Sequence, residues 1–173
     1  MLLKLIPSRR LGNFLGFLVC AGLIGYALYL QYYQFQVPCP LCILQRIAVI
    51  VMGVMFLLAS VFHPKGQMGA KIWGGLIAIP GLLGLGVAAR HLYIQSLPPD
   101  KVPACGPGLE YMLETMPWAS ALAKALRGSG ECAEASWRLL GLTIPGWMAV
   151  CFVGLLTYTI LVVYKDLKHT AQR

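Results

Sequence analysis

The chain has 173 residues, 58% of them hydrophobic and only 12% charged, with a formal charge of +8 and a mean hydropathy of +0.72. That balance excludes an ordinary soluble domain and points to a membrane protein. Most of the positive charge sits in short segments flanking apolar stretches, so nucleic-acid binding is the weaker reading of it.

Four stretches are long and apolar enough to cross a bilayer, which takes about 20 residues of helix: about Leu11–Leu30, Ile43–Phe62, Ile72–His91 and Ile144–Tyr164. None alternates with the period of two of a barrel strand. The expected fold is therefore all-α, a four-helix transmembrane bundle forming a single domain. Lys4, Arg9 and Arg10 ahead of the first stretch resemble the start of a secretory signal. The stretch is longer than a signal core, however, and no small-x-small cleavage site ends it, so it reads as a helix.

Cytoplasmic segments retain Lys and Arg. Lys4, Arg9 and Arg10, then Lys65 and Lys71 between spans two and three, then Lys165, Lys168 and Arg173 place both termini and the middle link on the cytoplasmic side. Loop one, about 31–42, and loop two, about 92–143, belong on the opposite face. Across Ser96–Thr143 four basic residues meet five acidic ones, which fits that assignment.

Loop one runs into span two through "VPCPLCILQR", Val37–Arg46, which holds a Cys-x-x-Cys pair, Cys39 and Cys42. Pro40 suits a first helical position, so Cys42 falls in the first turn, where unpaired N–H groups favour an anion. Arg46 follows at i+4 on the same helical face. Helix terminus and guanidinium together favour a thiolate at Cys42, although an arginine at a span end also snorkels to phosphates. At the end of span three, "RHLYIQ" brings Arg90 and His91 to the same membrane face. A histidine there is commonly an interfacial structural residue, and its position opposite Cys42 and Arg46 adds a functional alternative.

Loop two opens with "SLPPDKVPACGPG", whose four prolines and two glycines predict an irregular, partly extended segment carrying Cys105. Pro117 can start a short helix in which Trp118, Ala121, Leu122, Ala125 and Leu126 form an apolar stripe. Such a helix lies on the outer membrane surface or packs on the loop itself. Gly128 and Gly130 in "RGSGECAE" then break the helix and present Cys132 in a flexible turn.

The six cysteines divide by place. Cys20 and Cys151 fall within spans one and four, where a thiol is a small apolar packing group. Cys39, Cys42, Cys105 and Cys132 share the outer face, where a periplasm permits disulfides. A structural disulfide between Cys105 and Cys132 would constrain a long loop. Four thiolates also suit zinc, but only one Cys-x-x-Cys is present and the other pair is widely split, unlike a zinc ribbon. Redox chemistry explains more, because Cys-x-x-Cys closes too small a ring to add much stability yet is common where a disulfide is made and broken.

With "CPLCILQR", "RHLYIQ", "PACGPGLEYM" and "GSGECAEASWRLLGLTIPGW" in this order around four spans, the chain resembles the DsbB family along nearly its whole length. These are bacterial inner-membrane quinone reductases that regenerate the periplasmic dithiol oxidase DsbA. The resemblance implies that Cys105 and Cys132 meet reduced DsbA, with Cys105 forming the transient mixed disulfide. It also implies that Cys39 and Cys42 pass two electrons to ubiquinone or menaquinone, with Cys42 nearest the ring. Arg46 matches the family's quinone-site arginine and His91 a histidine near that site. Gln45 departs from members that carry an acid there. A membrane scaffold stapled by inert disulfides, and a DsbB-like paralogue serving one dedicated oxidase, are the alternatives.

Overall fold

The computed structural model describes residues 8–62, 66–104, 109–133 and 138–171. Cys105, Lys4, Lys65 and Arg173, all used in the sequence reading, lie outside the described residues. Four long helices form the body: α1 (Arg9–Tyr33), α2 (Pro40–Phe62), α3 (Gln67–Gln95) and, after two short helices α4 (Leu109–Thr115) and α5 (Trp118–Arg127), α6 (Ile144–Ala171). Each of the four is long and apolar enough to cross a membrane.

The helices run alternately up and down, and neighbours in sequence pack as neighbours in space: α1 on α2, α2 on α3, α3 on α6. Lipid tails are as apolar as leucine, so helices in a bilayer associate through close packing and not through a hydrophobic difference. Small residues supply that closeness. A Cβ added at Gly16 would lie 2.8 Å from the Phe56 ring, and one at Gly84 would lie 2.3 Å from the Phe152 ring. Phe56 and Phe152 are fully buried in a core shared with Cys20, Val49, Met52 and Ile77. Cys20 is thus a packing residue, and Cys151 is half-buried along α6. At the end remote from the other cysteines, Arg9 pairs with Asp166, and the Tyr158 hydroxyl donates to the Gly12 carbonyl at 2.8 Å.

Loop two is more ordered than its prolines suggest. A 3-10 turn spans Pro99–Lys101, α4 follows, and α5 begins after Pro117, which caps the helix from outside instead of occupying its first position. The physical reason is backbone: Pro117 is at φ −54°, ψ 139°, an extended conformation suited to a cap. Helix α5 lies against α2 with Ala121 and Ala125 buried, while Trp118, Leu122 and Leu126 are exposed. A two-stranded hairpin, β1 (Arg138–Leu139) with β2 (Leu142–Thr143), then leads into α6. Its turn residues Leu140 and Gly141 both have positive φ, the combination of a type I′ turn. Thr143 Oγ1 donates to Gln95 Oε1 at 2.8 Å and fastens the hairpin to the end of α3.

Replacing Gly84 by valine drives a branched side chain into Phe152 and Ala48 Cβ. The expected loss is about 1–3 kcal/mol, read as a lower thermal midpoint in detergent. Gly86→Val, at a position with nothing within 4 Å of an added Cβ, should leave the midpoint nearly unchanged.

Candidate functional site

Four segments converge at the loop end of the bundle. The first is the start of α2. Pro40 is its first helical residue, as proline's fixed φ and missing N–H allow. Cys39 therefore takes the capping position: its carbonyl accepts the first helical bond from Ile43 N–H at 3.1 Å, and its sulfur accepts from Cys42 N–H at 3.4 Å. That turn brings the Cys39 and Cys42 sulfurs within 2.8 Å of one another, placing them as a pair.

The second is the end of α3. His91 is buried, and its Nε2 lies 3.1 Å from the Cys132 carbonyl oxygen and 3.8 Å from Cys39 Sγ. A carbonyl can only accept, so Nε2 carries a proton and Nδ1 is the acceptor, filled by Gln45 Nε2 at 3.3 Å. His91 is thus a buried contact between two cysteine segments. Beside it, Arg90 donates to the carbonyls of Leu126 and Arg127 at 3.4 and 3.2 Å, and its guanidinium lies 5.3 Å from the Tyr93 ring centroid. Two consecutive residues of α3 therefore grip three carbonyls of loop two.

Loop two supplies the third segment. Gly128 turns the chain at φ +81°, a conformation that side-chain-bearing residues rarely adopt, and an added Cβ would meet Ile94 at 2.3 Å. Gly130–Cys132 forms a 3-10 turn in which Cys132 N–H donates to the Ser129 carbonyl at 2.9 Å. Cys132 is 0% exposed, packed with Cys39, Leu41 and Ile94. This corrects the expectation of a flexible, presented cysteine: the glycines allow a tight turn, and the apolar ends of α2 and α3 bury it. Cys39 Sγ, Cys132 Sγ and a ring nitrogen of His91 all lie within 4.8 Å of one another. The neighbouring Cys39 sulfur, followed by burial, pushes the Cys132 thiol well above the usual thiol range.

The fourth contribution is a cavity of about 430 Å³ beside the thiol pair, lined by Cys39, Cys42 and Arg46, by Ala27 and Leu30 of α1, and by Ile144 and Met148 of α6. Arg46 stands at the same cavity as Cys42 and is also tied to α1. Its guanidinium bonds Gln31 Oε1 and donates to the Ala27 carbonyl at 3.2 Å. Arg46 and Cys42 meet as walls of one cavity. Gln31 and Ser129 are partners that the sequence does not single out, and Gln45 stands out in it as a departure from family members with an acid there. Gln45 offered a signal, as a polar residue within the apolar run "CILQRIAV".

Residues 9–162 match the family described as disulfide bond formation protein DsbB. Three relatives, each called disulfide bond formation protein B, show the extent of the likeness. The Chromobacterium violaceum protein is 50% identical over 156 residues, 90% of this chain and 93% of the relative. That of Hahella chejuensis is 52% identical over 147 residues, 85% and 88% of the two chains. The Methylobacillus flagellatus protein is 45% identical over 161 residues, 93% and 96%.

Alkylation of Cys132, followed by mass spectrometry of its peptide, should stay slow through neutral pH. It should rise only above the ~8.5 of an ordinary thiol, since the raised value keeps the thiol protonated below it. Cys39→Ser should move that rise to lower pH by removing the largest cause. Gly128→Ala should raise the rate at fixed pH by levering the turn off Ile94. A Cys132 that reacts like a free thiol in the parent protein would contradict both the burial and the Cys39 contact.

Proposed function

This chain belongs to the DsbB family of disulfide bond formation proteins, and from that premise we propose that it is a protein-dithiol:quinone oxidoreductase of the bacterial inner membrane. In this reading it is a multi-pass protein with both termini cytoplasmic and its cysteine end periplasmic, where it reoxidises a DsbA-like dithiol oxidase. The observation that carries the reading is the sulfur row: Cys42 touches Cys39, Cys39 neighbours Cys132, and the Cys42 end borders the cavity walled by Arg46.

Thiol–disulfide exchange moves through such a row with atoms conserved. A thiolate of the reduced partner attacks a Cys105–Cys132 disulfide at Cys105, and the partner's second thiol resolves the mixed disulfide. The partner leaves oxidised, and Cys105 and Cys132 are left as thiols. Cys132 sulfur then attacks Cys39 of a Cys39–Cys42 disulfide, releasing Cys42 as a thiol. Attack by Cys105 on Cys132 restores the Cys105–Cys132 disulfide and frees Cys39. Contact of Cys132 with Cys39 supports the exchange between these two sulfurs, because they are held side by side.

Returning Cys39 and Cys42 to a disulfide releases two electrons and two protons, and membrane quinone, ubiquinone or menaquinone, is the two-electron acceptor that the reading assigns. The residues present suit such a ring. Ala27, Leu30, Ile144, Pro145 and Met148 give an apolar wall, Arg46 a cationic donor, and Cys42 a sulfur at the same cavity. Arg46, held on α1, would orient a carbonyl oxygen without leaving its own bonds unmade. His91 holds loop two in register by its bond to the Cys132 carbonyl, a positioning role.

Purified protein given a reduced periplasmic dithiol oxidase should reduce ubiquinone, followed by the loss of quinone absorbance. Cys42→Ser should lower turnover by at least about 10³-fold, the scale of removing a group that forms a covalent intermediate. Full turnover in that variant would refute the role given to Cys42. Arg46→Gln should raise the KM for quinone with a smaller change in KM for the protein partner.

A further inference from the structure

We propose that the reduced protein holds a site for one thiophilic divalent cation of the zinc or cadmium class, built from Cys39, Cys132 and His91. The residues come from loop one, the end of α3 and loop two, so the site exists only through the tertiary fold. It differs from a plain Cys-x-x-Cys chelate in requiring loop two to be docked.

Geometry is the first argument. Zinc binds thiolate sulfur at about 2.3 Å and imidazole nitrogen at about 2.0–2.1 Å in a tetrahedron, which sets S···N edges of about 3.6 Å and S···S edges of about 3.8 Å. Cys39 Sγ stands 3.8 Å from His91 Nε2, and the ligand atoms of Cys39, Cys132 and His91 all fall within 4.8 Å of one another. Contraction of about 1 Å or less closes the three-ligand face. The result is a Cys₂His face of three protein ligands, a set that leaves the fourth zinc position open.

Chemistry is the second. All three core ligands are buried, and thiolates formed on binding offset the charge of the cation in that interior, with release of their protons. His91 must bind the metal through Nε2, so its proton moves to Nδ1. Gln45 accommodates this: its amide now donates to Nδ1, and a half-turn presents Oε1 to accept from Nδ1–H. An apolar residue at that position would serve neither tautomer. The cation takes the place of the Nε2 bond to the Cys132 carbonyl and holds the same two segments together.

Binding commits one lone pair of each thiolate to the cation and lowers its nucleophilicity, so the loaded cluster exchanges with disulfides more slowly, and an oxidised cluster cannot load. The inference needs only free thiols and a docked loop, and it stands apart from the quinone reading.

The test uses the full-length chain carrying Cys20→Ala, Cys105→Ser and Cys151→Ala, which leaves Cys39, Cys42 and Cys132. Reduced anaerobically in detergent, it is titrated with Cd²⁺ alone while the ultraviolet thiolate-to-cadmium absorption is followed, and then with Zn²⁺ in competition. The expected result is a single ion per chain on the reduced protein and none on the oxidised. Cys132→Ser and His91→Gln should each weaken binding at least about tenfold, a loss already seen when only an outer-shell partner is removed. The zinc-loaded protein should react with a small disulfide reagent more slowly than the metal-free reduced protein. Parent affinity in both variants, with folding verified by circular dichroism, would reduce the site to a Cys39–Cys42 chelate and overturn the proposal, as would absence of binding to the reduced protein. No quinone or partner is present, so either result leaves the oxidoreductase reading to its own assay.

Discussion

The bond from His91 Nε2 to the carbonyl of Cys132 joins the long loop to the helix bundle where three sulfurs converge. Without it, the turn carrying Cys132 would rest on Leu41 and Ile94 by apolar contact. With it, and with Arg90 holding the carbonyls of Leu126 and Arg127 one turn earlier in the loop's path, the turn carrying Cys132 has one seat. Buried polar groups are costly unless partnered, which makes this contact specific. Among the described residues no buried side-chain nitrogen or oxygen lacks a partner.

The seat is useful only because the bundle beneath it is rigid. Glycines under Phe56 and Phe152 let the helix backbones approach closely, and the fixed helix ends then set the distance from Cys39 on α2 to His91 on α3. On the other side of the same thiol pair the packing relaxes into a cavity, spanned by Arg46 reaching to α1. A close-packed wall on the Cys132 side and a cavity on the Cys42 side give the two cysteines different neighbours.

Several residues changed meaning when placed in space. The i+4 spacing puts Arg46 near Cys42, and the two do share a cavity, but spacing on one helix cannot reveal acceptors on another, and Gln31 and the Ala27 carbonyl also hold the guanidinium. The glycines around Cys132 were read as flexibility. In a folded chain the same freedom permits a tight buried turn, since φ +81° at Gly128 is a requirement of the docked path. The short helix Leu109–Thr115 and the hairpin at Leu139–Leu142 went unread because seven residues and a two-residue turn are too brief for periodicity to show.

The sequence alone determined the class of fold, because hydrocarbon length and the need to satisfy every backbone group leave four apolar stretches of this size one outcome, a helical bundle. It also marked the Cys-x-x-Cys turn, since proline and helix-start rules are local. Only the tertiary structure decided that Cys39 stands between Cys42 and Cys132, that Gln45 orients His91, and that Arg46 belongs to a cavity wall. Those are distances between segments tens of residues apart, set by side-chain packing and hydrogen-bond partners that no local pattern encodes.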